Sequence, residues 1–237
     1  MVMTMLKTNL SLIAGLSAVA LLSTSNVQAA GNGTYAGVSV GYARNDTKLK
    51  LGNVAVNNQN FRGGNKAKKF NSVPAGIHFG WERNCPNQLF TAAELGLDFT
   101  GSSKKVNFRN DANNATIATY KVEKGFAMDL ALKAGYSFGT IVPYVRLGLT
   151  GTNWTQKINV PVAIAGGFAA GSKKKSKFVF GFAPGAGIQA KLGASRWTTG
   201  VEYKFVAHSK HTLNHSGKNV KIKPRTHDVR ARLSYGF

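Results

Sequence analysis

Hydrophobic and polar residues alternate with a period of two along most of the chain after residue 30. In Gln88–Thr100 the odd-numbered positions from Leu89 to Phe99 carry Leu, Thr, Ala, Leu, Leu and Phe, whereas the even-numbered positions include Glu94 and Asp98. Because successive side chains of a strand point to opposite faces, this pattern predicts a strand with one apolar and one polar face. The same pattern predicts eight strands of about ten residues: Thr34–Ala43, Val73–Glu82, Gln88–Thr100, Gly125–Phe138, Ile141–Thr152, Phe178–Leu192, Trp197–His208 and Thr226–Phe237.

The connections between these strands alternate in length. Short turns follow the second, fourth and sixth strands, whereas long polar stretches follow the others: Arg44–Asn71, Gly101–Lys124, Trp154–Lys177 and Ser209–Arg225. This asymmetry is typical of outer-membrane barrels, whose long loops face the exterior. We therefore predict an all-β fold: an eight-stranded antiparallel transmembrane β-barrel with short periplasmic turns and four long extracellular loops.

A soluble sandwich or lipocalin-like barrel is the alternative. It would need the large apolar side chains inside, with polar residues facing water. The second face of these strands instead carries Gly, Ser, Thr and charged residues, which cannot form a dry core. Such a face suits the polar interior of a membrane barrel, whose apolar face meets lipid.

The N-terminus predicts export. Lys7 precedes the apolar run Leu10–Leu22, and Val27 and Ala29 suit the positions before a cleavage site. The run is shorter than the roughly 20 apolar residues of a membrane-spanning helix. We predict a signal peptide at 1–29 and an outer-membrane β-barrel at 30–237, located in the outer membrane of a Gram-negative cell after cleavage near Ala29.

The polar face carries acids and bases in equal number. Buried charges must be paired, so we predict a salt-bridge network in the lumen. Its predicted members are Glu82, Glu94, Asp98, Asp129, Lys133, Arg146, Lys191, Glu202, Lys204, Asp228, Arg230 and Arg232. The alternative is a catalytic carboxylate pair formed by Glu94 and Asp98. Four residues along a strand separate them by about 13 Å, too far for a shared proton or a glycosidase pair.

The predicted loops contain most of the net charge of +22. They hold 22 Lys and Arg residues against Asp46, Asp111 and Glu123, which leaves a charge of +19. Either this is a solvated basic rim facing lipopolysaccharide phosphates, or it binds an acidic polysaccharide or a host surface protein. The candidate polyanion-binding residues are Lys66, Lys68, Lys69, Lys104, Lys105, Lys173, Lys174, Lys175, Lys177, Lys218, Lys221 and Lys223. No helix-turn-helix, zinc or RNA-binding signature predicts nucleic acid as a partner.

Three further motifs carry little chemistry. The stretch "GGFAAGSKKK" departs from the P-loop pattern because Ser172 follows Gly171. His208, His211 and His215 could hold a metal, but the stretch has neither a predicted helix nor a fourth ligand. Cys85 is the only cysteine, which excludes an intramolecular disulfide. The sequence therefore predicts no cofactor, no metal and no catalytic residue.

The end of the chain resembles a known family. "VEYKF" at Val201–Phe205, followed by "THDVRARLSYGF" at Thr226–Phe237, is similar to the C-terminal hairpin of small porin-family outer-membrane barrels. These form the OmpA/OmpX/Opa-like group, which includes surface proteins of alphaproteobacterial type. The resemblance implies recognition by the barrel assembly machinery through a C-terminal signal, here Val229, Leu233, Tyr235 and Phe237. It also implies roles in envelope integrity, limited permeability, adhesion or immune exposure.

These patterns favour a structural and surface-interaction protein with a largely closed lumen. An adhesin that uses basic loops is the alternative. A second alternative is an enzyme acting on outer-leaflet lipid, because His208 and Ser209 resemble the His and Ser of lipid A deacylase barrels. The His-x-Ser-Asn pattern of those enzymes is not matched. Pro143 and Pro184 fall within predicted strands, so either these positions are bulges or the strand limits differ by a few residues.

Overall fold

The structure is a computed structural model that describes residues 32–51, 54–56, 59–61, 66–109, 116–160, 171–209, 211–215 and 218–237. The backbone but not the side chain is described at 48–51, 54–56, 59–61, 66–68, 106–109, 116–118, 120, 158, 160, 173, 211–215 and 218–223. The predicted signal peptide lies outside the described residues. Among those residues, no helix is long and apolar enough to span a membrane.

The described chain is almost entirely strand, with one 3₁₀ turn at Pro86–Gln88. The strands are β1 (Gly33–Leu51), β2 (Val54–Val56), β3 (Gln59–Phe61), β4 (Lys66–Ser72), β5 (Ala75–Asn84), β6 (Leu89–Phe99), β7 (Ser102–Arg109), β8 (Thr116–Tyr136), β9 (Ile141–Val160), β10 (Gly171–Phe182), β11 (Gly185–Lys191), β12 (Trp197–His208), β13 (His211–His215) and β14 (Lys218–Gly236). The strands β2 and β3 form a separate small hairpin.

The remaining strands close into a ring with eight walls. The pairs β4 with β5, β6 with β7, β10 with β11 and β12 with β13 each continue one wall across a short break. All ladders are antiparallel, and the ring closes because β1 pairs with both β5 and β14, while β14 also pairs with β12. This confirms the predicted eight-stranded antiparallel barrel.

The alternation of buried and exposed side chains along the strands shows which part of the barrel faces lipid. Burial alternates residue by residue through most of β5, and the outward side chains of β8 from Phe126 to Tyr136 are exposed. Those ten steps cover about 34 Å along the strand, or about 26 Å after a tilt of about 40°, which matches the apolar band of outer-membrane barrels. We call this outward apolar zone the belt. Aromatic pairs mark its periplasmic border, with ring centroids of Tyr136 and Phe138 separated by 4.9 Å and those of Trp197 and Tyr235 by 5.0 Å.

Prolines mark two of the wall breaks. Pro184 lies between β10 and β11, where its carbonyl accepts a hydrogen bond from the Phe205 amide at 2.9 Å, and Pro74 lies between β4 and β5. Pro143 instead lies inside β9, opposite Ile188 of β11, and the ladder between β8 and β9 ends one residue away at Tyr144. Two of the eight predicted strands therefore differ from the observed ones. The predicted strand Val73–Glu82 begins before the break at Pro74, and the predicted strand Phe178–Leu192 contains the break at Pro184.

The strands extend far beyond their predicted extracellular limits. β1, β8, β9 and β14 each run 19 to 21 residues, because the stretches predicted as loops begin and end in paired strand. Above the belt the wall divides into two four-stranded sheets in the described part of the chain. We call them the β1 extension (β4, β1, β14 and β13) and the β9 extension (β7, β8, β9 and β10).

Candidate functional site

Ion pairs cross the lower lumen, towards the periplasm. Lys133 from β8 lies between two carboxylates, with its Nζ at 2.7 Å from Glu94 and 3.3 Å from Glu202. Arg232 from β14 contacts the same two carboxylates, at 3.1 Å from Glu202 and in a direct ion pair with Glu94. Four strands are therefore tied together across the lumen by two acids and two bases.

A second group of ion pairs fills the upper lumen. Lys204 Nζ lies 3.0 Å from Asp98 and 3.5 Å from Asp129. Arg230 pairs with Asp98 and, at 2.6 Å, with Asp228. Arg146 joins the two groups because it pairs with Asp129 above and approaches Glu202 at 3.5 Å below.

The ion pairs connect five acids and five bases into one cluster, which we call the lumen cluster. Its formal charge is zero, as the burial of so many charges requires. Its members are Glu94, Asp98, Asp129, Lys133, Arg146, Glu202, Lys204, Asp228, Arg230 and Arg232. Glu94 and Asp98 bind different bases and form no carboxylate pair.

Two further residues predicted for this network lie beside the lumen cluster, at a cavity that Lys133 and Arg232 also line. Glu82 and Lys191 line a cavity of about 150 Å³ at the periplasmic end of the lumen. Lys191 is the last residue of β11, next to a turn, and makes no ion pair with the residues that the structure describes. Lys191 therefore lies outside the lumen cluster, because alternation identifies the face of a residue but not its height in the barrel.

Two tyrosines complete the lower lumen, and the sequence prediction missed both. The hydroxyl of Tyr35 donates to Glu94 at 2.7 Å, and that of Tyr144 donates to Glu202 at 2.9 Å. The Lys133 ammonium also lies 5.1 Å from the centre of the Tyr144 ring. The alternation in the sequence could have identified them, since both tyrosines lie at lumen-facing positions of their strands.

Apolar side chains close the periplasmic end below the ion pairs. Phe90, Ala92, Val142 and Tyr144 form a buried group, in which Phe90 and Val142 have no exposed surface. The remaining cavity of about 150 Å³ has room for only a few water molecules. The described side chains therefore fill the lumen at several successive heights.

The upper end of the lumen contains a further buried cation. Lys124 donates to Asn45 at 3.3 Å, and the same amide oxygen accepts from Thr226 at 2.9 Å. Lys124 was predicted in a loop, but it lies inside the barrel because β8 begins earlier than expected. Nearby, His208 contacts Thr152 at 3.1 Å and packs edge-on against Trp154.

The residues of the enzyme and metal alternatives point in different directions. His208 is 3% exposed and faces the lumen, whereas the hydroxyl of Ser209 donates to the Phe180 carbonyl at 3.0 Å. They form no His–Ser contact. The side chains of His211 and His215 lie outside the described ones, and no group of three possible metal-binding His, Cys, Asp or Glu residues occurs within the described part.

The candidate polyanion-binding lysines lie on strands rather than in loops. The exposed ones with described side chains are Lys69, Lys104, Lys105, Lys174, Lys175 and Lys177, on β4, β7 and β10. They were placed in loops because both faces of the extensions are polar. The side chains of Lys66, Lys68, Lys173, Lys218, Lys221 and Lys223 lie outside the described ones.

An acidic residue interrupts this basic surface on the β9 extension. Glu123 lies 2.5 Å from Lys121 and 3.3 Å from Lys157. The hydrogen bond from Lys121 holds the pKa of Glu123 below its usual value. This is a half-exposed counterpart of the lumen ion pairs.

The residues of the predicted assembly signal all lie on β14 or directly after it. Val229, Leu233 and Phe237 are exposed on the outer surface, and Tyr235 packs against Trp197. The Phe237 amide donates to the Thr34 carbonyl at 2.9 Å, where the last strand meets the first. Their recognition by the assembly machinery stays a prediction.

The closed ring, the apolar belt and the charge-filled lumen define the class of an outer-membrane β-barrel. The chain belongs to the family described as outer membrane protein beta-barrel domain, whose model matches residues 14–237. This confirms the predicted class and its location in the outer membrane.

Curated relatives come from Brucella. The chain is 30% identical over 117 residues to the 25 kDa outer-membrane immunogenic protein of Brucella canis, covering 49% of each protein. The protein of the same name from Brucella abortus is 29% identical over 117 residues, again 49% of each. The chain thus spans about half the length of the curated relatives it matches.

Among solved structures, the fold is similar to that of the outer membrane protein OprG from Pseudomonas aeruginosa. The TM-score is 0.53 at 17% identity, and the match covers 89% of this chain and all of OprG. At this identity the likeness concerns the fold.

Proposed function

We propose that this barrel is a structural and surface-interaction protein of the outer membrane, with a lumen closed to ordinary solutes and no enzymatic activity. The observation that carries the proposal is the lumen cluster, whose ion pairs cross the interior at two heights. Eight strands leave an interior that side chains can fill. Closing the pore in this way stiffens the wall without opening a path through the membrane.

Conductance in planar bilayers tests the closed lumen. We expect purified, folded protein to give no steady channels under conditions where a general porin conducts. The double variant Tyr144→Ala/Arg146→Ala removes two large lumen side chains of β9: Arg146, which joins the upper and lower ion pairs, and Tyr144, which contacts Glu202 of the lower group. If it folds, which heat-dependent gel mobility reports, it should pass small ions.

Large, steady channels from the unaltered protein would contradict the proposal. If the double variant does not fold, Gln189→Ala offers a second variant at the periplasmic cavity, which Gln189 lines. This smaller change should leave the conductance at the background level, since the lumen cluster remains intact.

A second candidate function is adhesion to an external polyanion. It is supported by the exposed lysines of β4, β7 and β10, which lie above the belt. The Brucella relatives are named outer-membrane immunogenic proteins, a name that fits an exposed surface. Long-range attraction of this kind weakens as salt is added.

Binding to a sulfated polysaccharide distinguishes an adhesive surface from a solvated basic rim that has no external ligand. We expect Lys174→Gln/Lys175→Gln/Lys177→Gln to weaken binding several-fold at low salt, with the difference shrinking as salt rises. Binding that is unchanged in this variant would rule out the contribution of β10.

The proposal gives His208 no catalytic role, in line with its burial and its contact with Thr152. Mass spectrometry of lipid A from cells expressing the protein or its His208→Ala variant tests this statement. Identical lipid A in both is expected, and a modification lost only in the variant would establish the enzyme alternative.

A further inference from the structure

The wall of the barrel opens between β4 and β7. Within the belt, β5 and β6 pair continuously from Ala75–Phe99 to Asn84–Phe90. Above it, β4 pairs with β1 and β7 pairs with β8, and no ladder joins β4 to β7 among the described residues. The opening begins where Pro74 interrupts one wall and Thr100–Gly101 the other.

This opening forms a concavity of about 490 Å³, which we call the seam notch. Three cations line it from three strands: Arg44 of β1, Lys69 of β4 and Lys104 of β7. Lys104 lies opposite the buried Val122 in its ladder, so it approaches the notch from the lumen side. Positive charge therefore converges on the notch from both sides of the wall.

Neutral polar groups add further hydrogen-bonding capacity. Tyr42, Asn71 and Ser103 also line the notch. Two acids lie near it: Asp46, 3.7 Å from the Arg44 guanidinium, and Glu123, the ladder partner of Ser103, which is neutralised by its own ion pairs with Lys121 and Lys157. Even when Asp46 is counted, the notch has a formal charge of +2, which selects an anion.

The height of the notch specifies the kind of anion. Directly below it, the outer surface is apolar and open to lipid, with Val40 54%, Val73 68% and Phe99 59% exposed. Tyr42 lies at the boundary, as aromatic residues do at the membrane interface. A ligand with an anionic head and acyl chains would use both zones, whereas a soluble anion would use only the notch.

We propose that the seam notch binds the phosphorylated headgroup of an outer-leaflet glycolipid, with the acyl chains lying along the belt below. Arg44 and Lys69 hold the phosphate from the outer side, and Lys104 reaches it through the opening. The site does not depend on the lumen being closed, so the conductance experiment and this inference can fail separately.

Lipid binding to the folded protein tests this site. The notch variant is Arg44→Gln/Lys69→Gln/Lys104→Gln, and its matched control is Lys174→Gln/Lys175→Gln/Lys177→Gln, which removes the same charge from β10. Each protein in mild detergent is titrated with bis-phosphorylated lipid A and with the dephosphorylated lipid, and retained lipid is measured by native mass spectrometry.

We expect the notch variant to bind phosphorylated lipid A about ten-fold more weakly or worse, since each basic residue near a membrane surface contributes appreciably to such attraction. The control should change by less than about two-fold, because its lysines lie outside the notch. Removing the phosphates should weaken binding to the unaltered protein but not further weaken binding to the notch variant. If the triple variant does not fold, the exposed Lys104→Gln substitution alone should reduce binding in the same direction.

Three outcomes would overturn the inference. Equal losses in the two triple variants would mean that net charge alone attracts the lipid. Unchanged binding in the folded notch variant would remove the site. Inorganic phosphate that displaces lipid A at concentrations comparable to those of the lipid would identify the notch as a site for a free anion.

Discussion

The belt and the two extensions are built from the same strands but obey different constraints. In the belt the wall is closed, and five acids inside the lumen meet five bases. Above the belt the wall splits into two sheets, and the described acids are Asp46 and Glu123. Lipid cannot hydrogen-bond a free strand edge, so the ring must close there. Water can, so the wall is free to open above it.

Lysine side chains protect the strand edges that are left exposed where the barrel wall is not closed. β4 and β10 are edge strands of the two extensions, and each contains a cluster of lysines. Charged side chains on an edge oppose pairing with another chain. The basic surface thus has a structural explanation that holds whether or not a polyanion binds to it.

The largest expected effect comes from removing a carboxylate of the lumen cluster. Glu202 contacts Lys133, Arg146 and Arg232 and is 2% exposed. We expect Glu202→Ala to reduce the free energy of unfolding by roughly 3–5 kcal/mol, because buried cations lose a partner. Urea unfolding in lipid vesicles, followed by tryptophan fluorescence and gel mobility, measures the loss.

The matched control is Glu123→Ala in the β9 extension. Glu123 also contacts two bases, Lys121 and Lys157, but all three side chains are partly exposed. Exposed pairs contribute about 0–1 kcal/mol. Equal destabilisation by the two substitutions would contradict the distinction between belt and extension.

A smaller effect is expected from filling space beside a glycine. A Cβ at Gly80 would lie 2.6 Å from the Tyr35 hydroxyl, whereas a Cβ at Gly101 would meet nothing within 4 Å. We expect Gly80→Ala to destabilise the barrel by roughly 1–3 kcal/mol through overpacking of the lumen. The same unfolding assay measures it.

Gly101→Ala is the control for this prediction. It lies in the break between β6 and β7, beside the seam notch, and should change stability by less than about 0.5 kcal/mol. A tolerated Gly80→Ala would mean that the lower lumen is more loosely packed than its ion pairs indicate.

The sequence predicted the belt more accurately than the extensions, for a physical reason. β12 has the predicted bounds of Trp197–His208, because lipid on one side and charge on the other impose a strict period of two. Above the lipid both faces of a strand meet water. The alternation then disappears in stretches such as "GSKKKSK" at the start of β10, which cannot be distinguished from a polar loop.

The sequence predicted which residues form the lumen cluster, but not which acid pairs with which base. Alternation identified the inward acids and bases, including Glu94 and Arg232. Which acid meets which base depends on the stagger between strands, which the pattern within one strand does not contain. The same limit explains why Lys191 was included, whereas the lumen-facing parity of Tyr35 was already visible in the sequence.

The smallest expected effect concerns the pH and salt dependence of the Glu123 contacts. Its pKa is lowered in the folded protein, mainly by the hydrogen bond from Lys121. A lowered carboxyl pKa adds stability that is present above the ordinary carboxyl pKa and is lost as the pH falls through the folded value. We therefore expect backbone amides near Lys121 and Lys157 to exchange hydrogen faster when Glu123 is protonated, after correction for intrinsic exchange. High salt should weaken the same contacts because they are exposed to solvent. The Glu123→Gln variant should show neither dependence, and a pH response of equal size in that variant would assign the effect to another group.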